Sequence, residues 1–283
     1  MKTLLVPVDF SGPSDNAAAF AADLANDGGY DDIVLASNLY VPIFEQIVPS
    51  PDLLQITAAD IQQKKEKIRQ QLEELQSAVL RRITRHSTTV RLVISDLPLV
   101  RAILEQVRDE NPAVVLMGSN SIDATDSSII GLQIIELVKV IPVPVLIVPP
   151  KSSYLPVTTA VVAGEFKSLA RIDPLKLLGK LVRGPHPRLL LLNVDASHKN
   201  LPAADPSSET KAGFSDLLKD FDYRLYNLEE GGIVQGVLKF AADHTAQLII
   251  GLPGRHSFLY HLTHQNIQLG IFQNAQYPVL ILK

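Results

Sequence analysis

The chain has 283 residues, 46% of them hydrophobic and 20% charged, with a formal net charge of −4 and no cysteine. This length suits two domains of ordinary size, each able to bury a core, and the composition excludes long disorder. The charge supplies no field to hold a polyanion, which excludes nucleic acid as a partner. The missing thiols exclude disulfides, thiolate zinc sites and cysteine nucleophiles, and fit a reducing compartment.

The opening MKTLLVPVDF carries one lysine and an apolar run too short for a signal peptide, so it reads as a strand. No run reaches the roughly 18 apolar residues that span a bilayer. The expectation is a soluble, cytoplasmic protein with no membrane partner.

Leu4 to Val8 is the expected first strand, ending at Asp9-Phe10-Ser11. Ser11 or Ser14 suits the cap of the next helix, with Pro13 tolerated in its first turn. That helix covers about Asp15 to Asn26 and closes at Gly28-Gly29. Ile33 to Leu39 is the second strand, and Val41 to Thr57 reads as a long loop. Ala58 to Arg85 is one long helix with Ile61, Ile68, Leu72, Leu75, Val79 and Ile83 along a face and a solvated charged face opposite. Thr88 to Ile94 is the third strand. Asp96 then starts a helix striped by Val100, Ile103, Leu104 and Val107, and Pro112 ends the connection.

The stretch from Val114 to Pro149 is the most informative. Val114 to Met117 is a short apolar run that stops at Gly118, and Ser119 to Ser128 is a polar loop. Ile129 to Val140 is a helix with Ile130, Ile134, Leu137 and Val138 on one face. Val143 to Val148 is too apolar to have a wet face and suits a strand covered on both sides. A loop between a strand's C-terminal end and a helix start is where α/β folds place phosphates and other anions. This is the expected functional surface.

Lys151 to Pro156 is a linker, after which the order repeats. A strand at Thr159–Ala163, a helix at about Pro174–Val182 and a strand at Arg188–Val194 come first. A polar loop at Asp195–Glu209, a short helix at Phe214–Phe221 and a strand at Tyr223–Asn227 follow. The helix Ile233–Asp243 then leads to a strand at Gln247–Ile250. Leu248–Lys283 repeats Val114–Pro149: Ile249-Ile250-Gly251 answers to Leu116-Met117-Gly118, and Pro278–Leu282 answers to Pro144–Val148. Helical crossovers between all strands give parallel sheets with right-handed connections and helices on both faces. The domains are 1–150 and 157–283. Only the first has a long second helix, so a site shared equally by both is not expected.

Three features, the opening Leu5-Val6-Pro7-Val8-Asp9-Phe10-Ser11, the spacing after strand four and the closing Pro-Val-Leu-Ile strand, carry a resemblance. On them the chain resembles the universal stress protein family in its tandem form. The resemblance implies an α/β fold of two tandem five-stranded parallel-sheet domains, Rossmann-like (adenine nucleotide alpha hydrolase-like). Nucleotide-binding members carry Gly, two residues, Gly, nine residues, then Gly followed by Ser or Thr. There the loop and helix start hold the phosphates of ATP, and an aspartate ending strand one meets the adenosine side.

In the first half Gly118 fits, Ser121 replaces the second glycine, Gly131 fits, and Leu132 replaces the Ser or Thr. Asp9 is in place with Pro7, Val8 and Met117 around it, and Ser119 opens the loop. Asp123 and Asp126 would repel a triphosphate there unless a divalent cation bridged them. In the second half Gly251 and Gly254 fit, and Arg255 follows. His264 and Gln265 replace the later pair, and Glu165, after Gly164, answers to Asp9. Arg255, His256, His261 and His264 make this loop friendlier to anions. Each half lacks a different part of the motif. The implied ligand is ATP or another adenine nucleotide, with magnesium, at degenerate sites; the alternative is no cofactor.

Blander readings stand beside these. Asp9 also suits a cap of the first helix, Asp123 and Asp126 a solvated turn, and the three histidines exposed positions rather than metal ligands. Gly231-Gly232 opens a helix. The sequence has no Gly-x-Ser-x-Gly elbow, His-Glu-x-x-His motif or Walker lysine. No catalytic residue and no metal site are therefore expected. The reading is a non-enzymatic regulatory binding protein of the stress response. Its alternatives are a slow ATP-hydrolysing or phosphate-transferring enzyme and a structural interaction module without a small ligand. Family members pair through their last strands, and Pro144–Val148 and Pro278–Leu282 suit an internal pseudo-dimer, which can dimerise again as a homodimer, beside unidentified protein partners. Left exposed, such edges invite association.

Overall fold

The structure, a computed structural model, describes residues 2–40, 57–120, 129–150, 152–166, 173–181, 186–194, 208–228, 233–252 and 277–283. The first half begins with β1 (Thr3–Pro7), every residue of it buried. Ser11 caps α1 (Gly12–Gly28) by accepting from the Ser14 amide at 3.4 Å, and Pro13 sits in the first turn. The helix thus starts earlier than expected, because Ser14 turns its hydroxyl back onto the Ser11 carbonyl. Small residues Ala17, Ala18, Ala21, Ala22 and Ala25 let α1 lie close on the sheet. It ends at Gly29, whose φ of 63° is the left-handed conformation that glycine adopts without strain.

β2 (Asp32–Asn38) follows, then α2 (Ala58–Arg82), opened by a capping box of Thr57 and Asp60. The sequence pattern carried this helix on to Arg85. It stops at Arg82 because Asn26 of α1 takes both strands of the exit, donating to the Arg82 carbonyl and accepting from the Thr84 amide. After β3 (Thr89–Ser95), α3 (Leu99–Glu110) begins three residues later than Asp96, with Pro98 as its N-cap residue. β4 (Val114–Gly118) leads to the expected helix Ile129–Val140, which is divided in two. α4 (Ile129–Leu132) and α5 (Ile134–Val140) break at Gln133, whose amide is shared between the Ile129 and Ile130 carbonyls. β5 (Val145–Val148) closes the half.

The second half runs β6 (Thr159–Gly164), a 3-10 turn (Asp173–Leu177), α6 (Leu178–Leu181), β7 (Arg188–Asn193) and α7 (Ser208–Leu217). It continues with β8 (Tyr223–Asn227), α8 (Ile233–Asp243), β9 (Leu248–Gly251) and β10 (Val279–Ile281). The helix expected at Pro174–Val182 is instead a 3-10 turn followed by one helical turn. The one expected at Phe214–Phe221 lies earlier, and Leu218 and Phe221 form the buried turn after it. The loops expected at 41–57 and 195–209 fall mostly outside the described residues.

The strands make one sheet in the order β3-β2-β1-β4-β5-β10-β9-β6-β7-β8. Within each half every pair is parallel, and the order reverses between the first and fourth strands. β5 and β10 meet antiparallel, with Leu146 opposite Leu280. Alternating strand residues feed two cores. One holds α1, α2, α6 and α7 against the sheet; the other holds α3, α4, α5 and α8. The expected α/β class with helices on both faces is what the chain adopts. No described helix is long and apolar enough to cross a membrane.

Candidate functional site

In a doubly wound sheet the ligand crevice opens where strand order reverses, at the strands' C-terminal ends. In the first half that point lies between β1 and β4. Pro7 and Val8 are buried there, and the Val8 amide continues the ladder by donating to the Ala36 carbonyl at 2.7 Å. Asp9 comes next, followed by Phe10 at a φ of 59°, a left-handed turn that swings the chain into α1. One Asp9 oxygen accepts from the Ser11 hydroxyl at 2.5 Å and from the Ser11 amide at 3.3 Å. The other accepts from the Ile130 amide, in the first turn of α4, at 3.1 Å. The α1 cap is therefore Ser11, and Asp9 orients that cap while pinning α4 over the strand ends.

The remaining first-half residues frame the crevice from below. Met117 is fully buried toward α3, α4 and α5, and Val8 is buried toward α1. A Cβ placed on Gly118 would lie 2.0 Å from the Pro13 carbonyl oxygen, so the glycine lets the first turn of α1 touch β4. Ser119 extends the β4·β5 ladder: its amide (2.9 Å) and hydroxyl (3.3 Å) both donate to the Val148 carbonyl. Gly131 follows Ile130 in α4. Ser121, Asp123 and Asp126 lie outside the described residues.

The second crevice, between β6 and β9, is built differently. Gly164 ends β6, and a Cβ there would meet Leu252 side-chain carbons at 2.9 and 3.0 Å. Leu252 is fully buried, and its amide donates to the Ala163 carbonyl. Glu165 is buried, 6% exposed. Phe166 packs edge-on against Phe214 at 5.3 Å, and its amide donates to the Asn193 side chain. Gly251 ends β9, and its carbonyl accepts from the Leu282 amide. Gly254, Arg255, His256, His261, His264 and Gln265 lie outside the described residues, as does Gly231-Gly232.

Sequence reasoning missed the Ile130 amide, the Pro13 carbonyl against Gly118, and Leu252 in the second crevice. Leu252 alone left a trace, as a large apolar residue directly after the strand-four glycine. Among the described residues, no group of three or more His, Cys, Asp or Glu side chains is placed to hold a metal ion.

Fold and crevices define a doubly wound α/β protein with two switch points in one sheet. The sequence model of the Universal stress protein family matches residues 1–149, and the chain belongs to that family. A universal stress protein from Archaeoglobus fulgidus DSM 4304 is similar over 99% of this chain and 96% of its own, with a TM-score of 0.63 and 16% identity. That likeness shows a shared fold across both halves. A universal stress protein family member from Burkholderia pseudomallei aligns with 53% of this chain and 96% of its own, at a TM-score of 0.39 and 19% identity. A comparison with curated protein sequences returned no match.

Proposed function

We propose that the chain is a non-enzymatic regulatory binding protein whose first half keeps a weak adenine-nucleotide site and whose second half has given its site to core packing. The arrangement of Asp9 carries this reading. Its carboxylate stands at the switch point, where an adenosine hydroxyl would meet it, yet it already accepts from Ser11 and from the Ile130 amide. A ligand hydroxyl would compete with these donors for the carboxylate's acceptor sites, which weakens its hold. The Ser119 donors, given to Val148, add nothing toward a phosphate. The Leu252 side chain against Gly164 supports loss of the second site. Pairing of β5 with β10 supports an internal pseudo-dimer, so a homodimer would use another surface, with β3 and β8 as the outer strands.

Isothermal titration of the intact chain with ATP and AMP, with and without magnesium, tests this. The expected result is binding near a Kd of about 0.1 mM, or about −5.5 kcal/mol, lost in Asp9→Ala and without phosphate release. Tight binding with magnesium-dependent turnover, abolished by Asp9→Ala, would establish the enzymatic alternative. No heat with either nucleotide would leave the structural module.

A further inference from the structure

On one face of the sheet, over the antiparallel pair β5 and β10, a cavity of about 620 Å³ lies between the two halves. It arises from the seam. On this face α1 flanks β5 and α6 flanks the opposite half, while Leu146 and Leu280, facing each other across the antiparallel pair, form the floor. Phe20 and Leu24 of α1 make one wall, Leu178 and Leu181 of α6 the other, and linker residues 152–158 run over the top. The linker is anchored there: the Tyr154 ring packs edge-on against Phe20 at 5.3 Å and its hydroxyl donates to Asp27.

The polar groups of the lining are mostly turned to one another. Tyr30 donates to the Leu181 carbonyl, and the Gln247 side chain joins Thr158, Thr159 and Thr245. The His186 ring packs tilted against Phe221 at 4.4 Å. Among the described residues no lysine or arginine lines the cavity, and Asp27 is an acid in the wall. The nearest cation, the Lys2 ammonium, is given to the Leu181 carbonyl at 3.1 Å and to the Tyr30 ring at 4.9 Å, so an anionic head group would have to compete for it. A cavity of this size and apolar lining falls in the range of small-molecule sites, and apolar space left empty forfeits packing on every side.

We propose that this cavity binds an uncharged, lipid-like molecule with an apolar body and one hydrogen-bonding end, held between the halves beneath the linker. The site is separate from the nucleotide crevice and does not depend on it.

The intact chain titrated with Nile red, an uncharged dye that brightens in apolar surroundings, tests the proposal. A saturable rise in the micromolar range is expected, displaced by dodecanol and about tenfold less well by dodecanoate. ATP should leave the curve unchanged. Val157→Trp narrows the cavity from the linker and Leu178→Trp from α6; each should weaken dye binding by about tenfold with the circular dichroism spectrum retained. Should Leu178→Trp misfold, Val157→Trp decides, since the linker contributes no strand or helix. Absence of saturation, or a folded Val157→Trp chain that binds as before, overturns the site. Equal displacement by dodecanoate overturns the uncharged ligand, and displacement by ATP overturns the separateness of the two sites.

Discussion

Gly118 shows how one residue answers to two explanations. Its place after strand four matches the glycine of a phosphate loop, but the structure gives it a packing duty first. The first turn of α1 comes so close that an added Cβ would stand 2.0 Å from the Pro13 carbonyl oxygen and 2.5 Å from its carbon. These are backbone atoms and cannot rotate aside. Gly118→Ala is therefore expected to lift α1 from β4 and cost about 2–3 kcal/mol, or roughly 4–9 °C in Tm. At Gly164 the same change meets Leu252 side-chain carbons at 2.9 and 3.0 Å, which can give, and the cost should stay near 1 kcal/mol. Thermal unfolding of the two variants side by side checks this. An unaltered Tm in Gly118→Ala would show that α1 is not seated there. The sequence marked this glycine but not its reason, because the clash lies with a residue far away along the chain.

Among elements, the fixed point is the join of β2, β3 and α3. Asp32 opens β2 with its side chain wholly buried, and Arg91 of β3 reaches it at 2.5 Å while also meeting Glu110 of α3 at 2.6 Å. Thr89 adds a further hydrogen bond to Asp32. Hydrogen bonding to Glu110 and then to Asp32 holds the Arg91 pKa above its ordinary range. The two arms are not equal. The arm to Glu110 is partly wet and is worth at most about 1 kcal/mol. Removing Arg91 strands a buried carboxylate, a change that costs about 3–5 kcal/mol in a dry site. With the arginine side chain 43% exposed, water can reach the pair, and about 2–3 kcal/mol is expected for Arg91→Met. Urea unfolding of Arg91→Met and Glu110→Gln separates the arms; equal losses would refute the ranking. This element-level order was largely readable. Strands came through with ends shifted by a residue or so, because short buried runs bounded by polar residues leave little choice. Helix ends were harder to place, since α2 is stopped by Asn26 and the α4–α5 break is set by a shared hydrogen bond, neither of which has a local signature.

At the scale of the molecule the seam governs. Each half carries a doubly wound order that the repeated Pro-Val-Leu-Ile strands announced, but a repeat says nothing of how two copies are joined. Joining β5 to β10 puts ten strands in one sheet and turns both apolar edges inward. The halves are held again outside the sheet. Lys2 and Tyr30 both donate to the Leu181 carbonyl, and the Lys283 ammonium donates to the Val138 carbonyl at the end of α5. Burial lowers the pKa of that ammonium, so this tie carries a desolvation cost, and the strands must supply the larger share of the adhesion. Separated, each half would present its last strand as an open apolar edge, a template for pairing with another chain. Residues 1–150 expressed alone should therefore self-associate, and on mixing with residues 157–283 should exchange into a one-to-one complex with a Kd below about 10 µM. Sedimentation velocity distinguishes the species. Two fragments that stay monomeric and ignore each other would mean that the linker, not the strand pair, keeps the halves together, and that the cavity between them has no fixed floor.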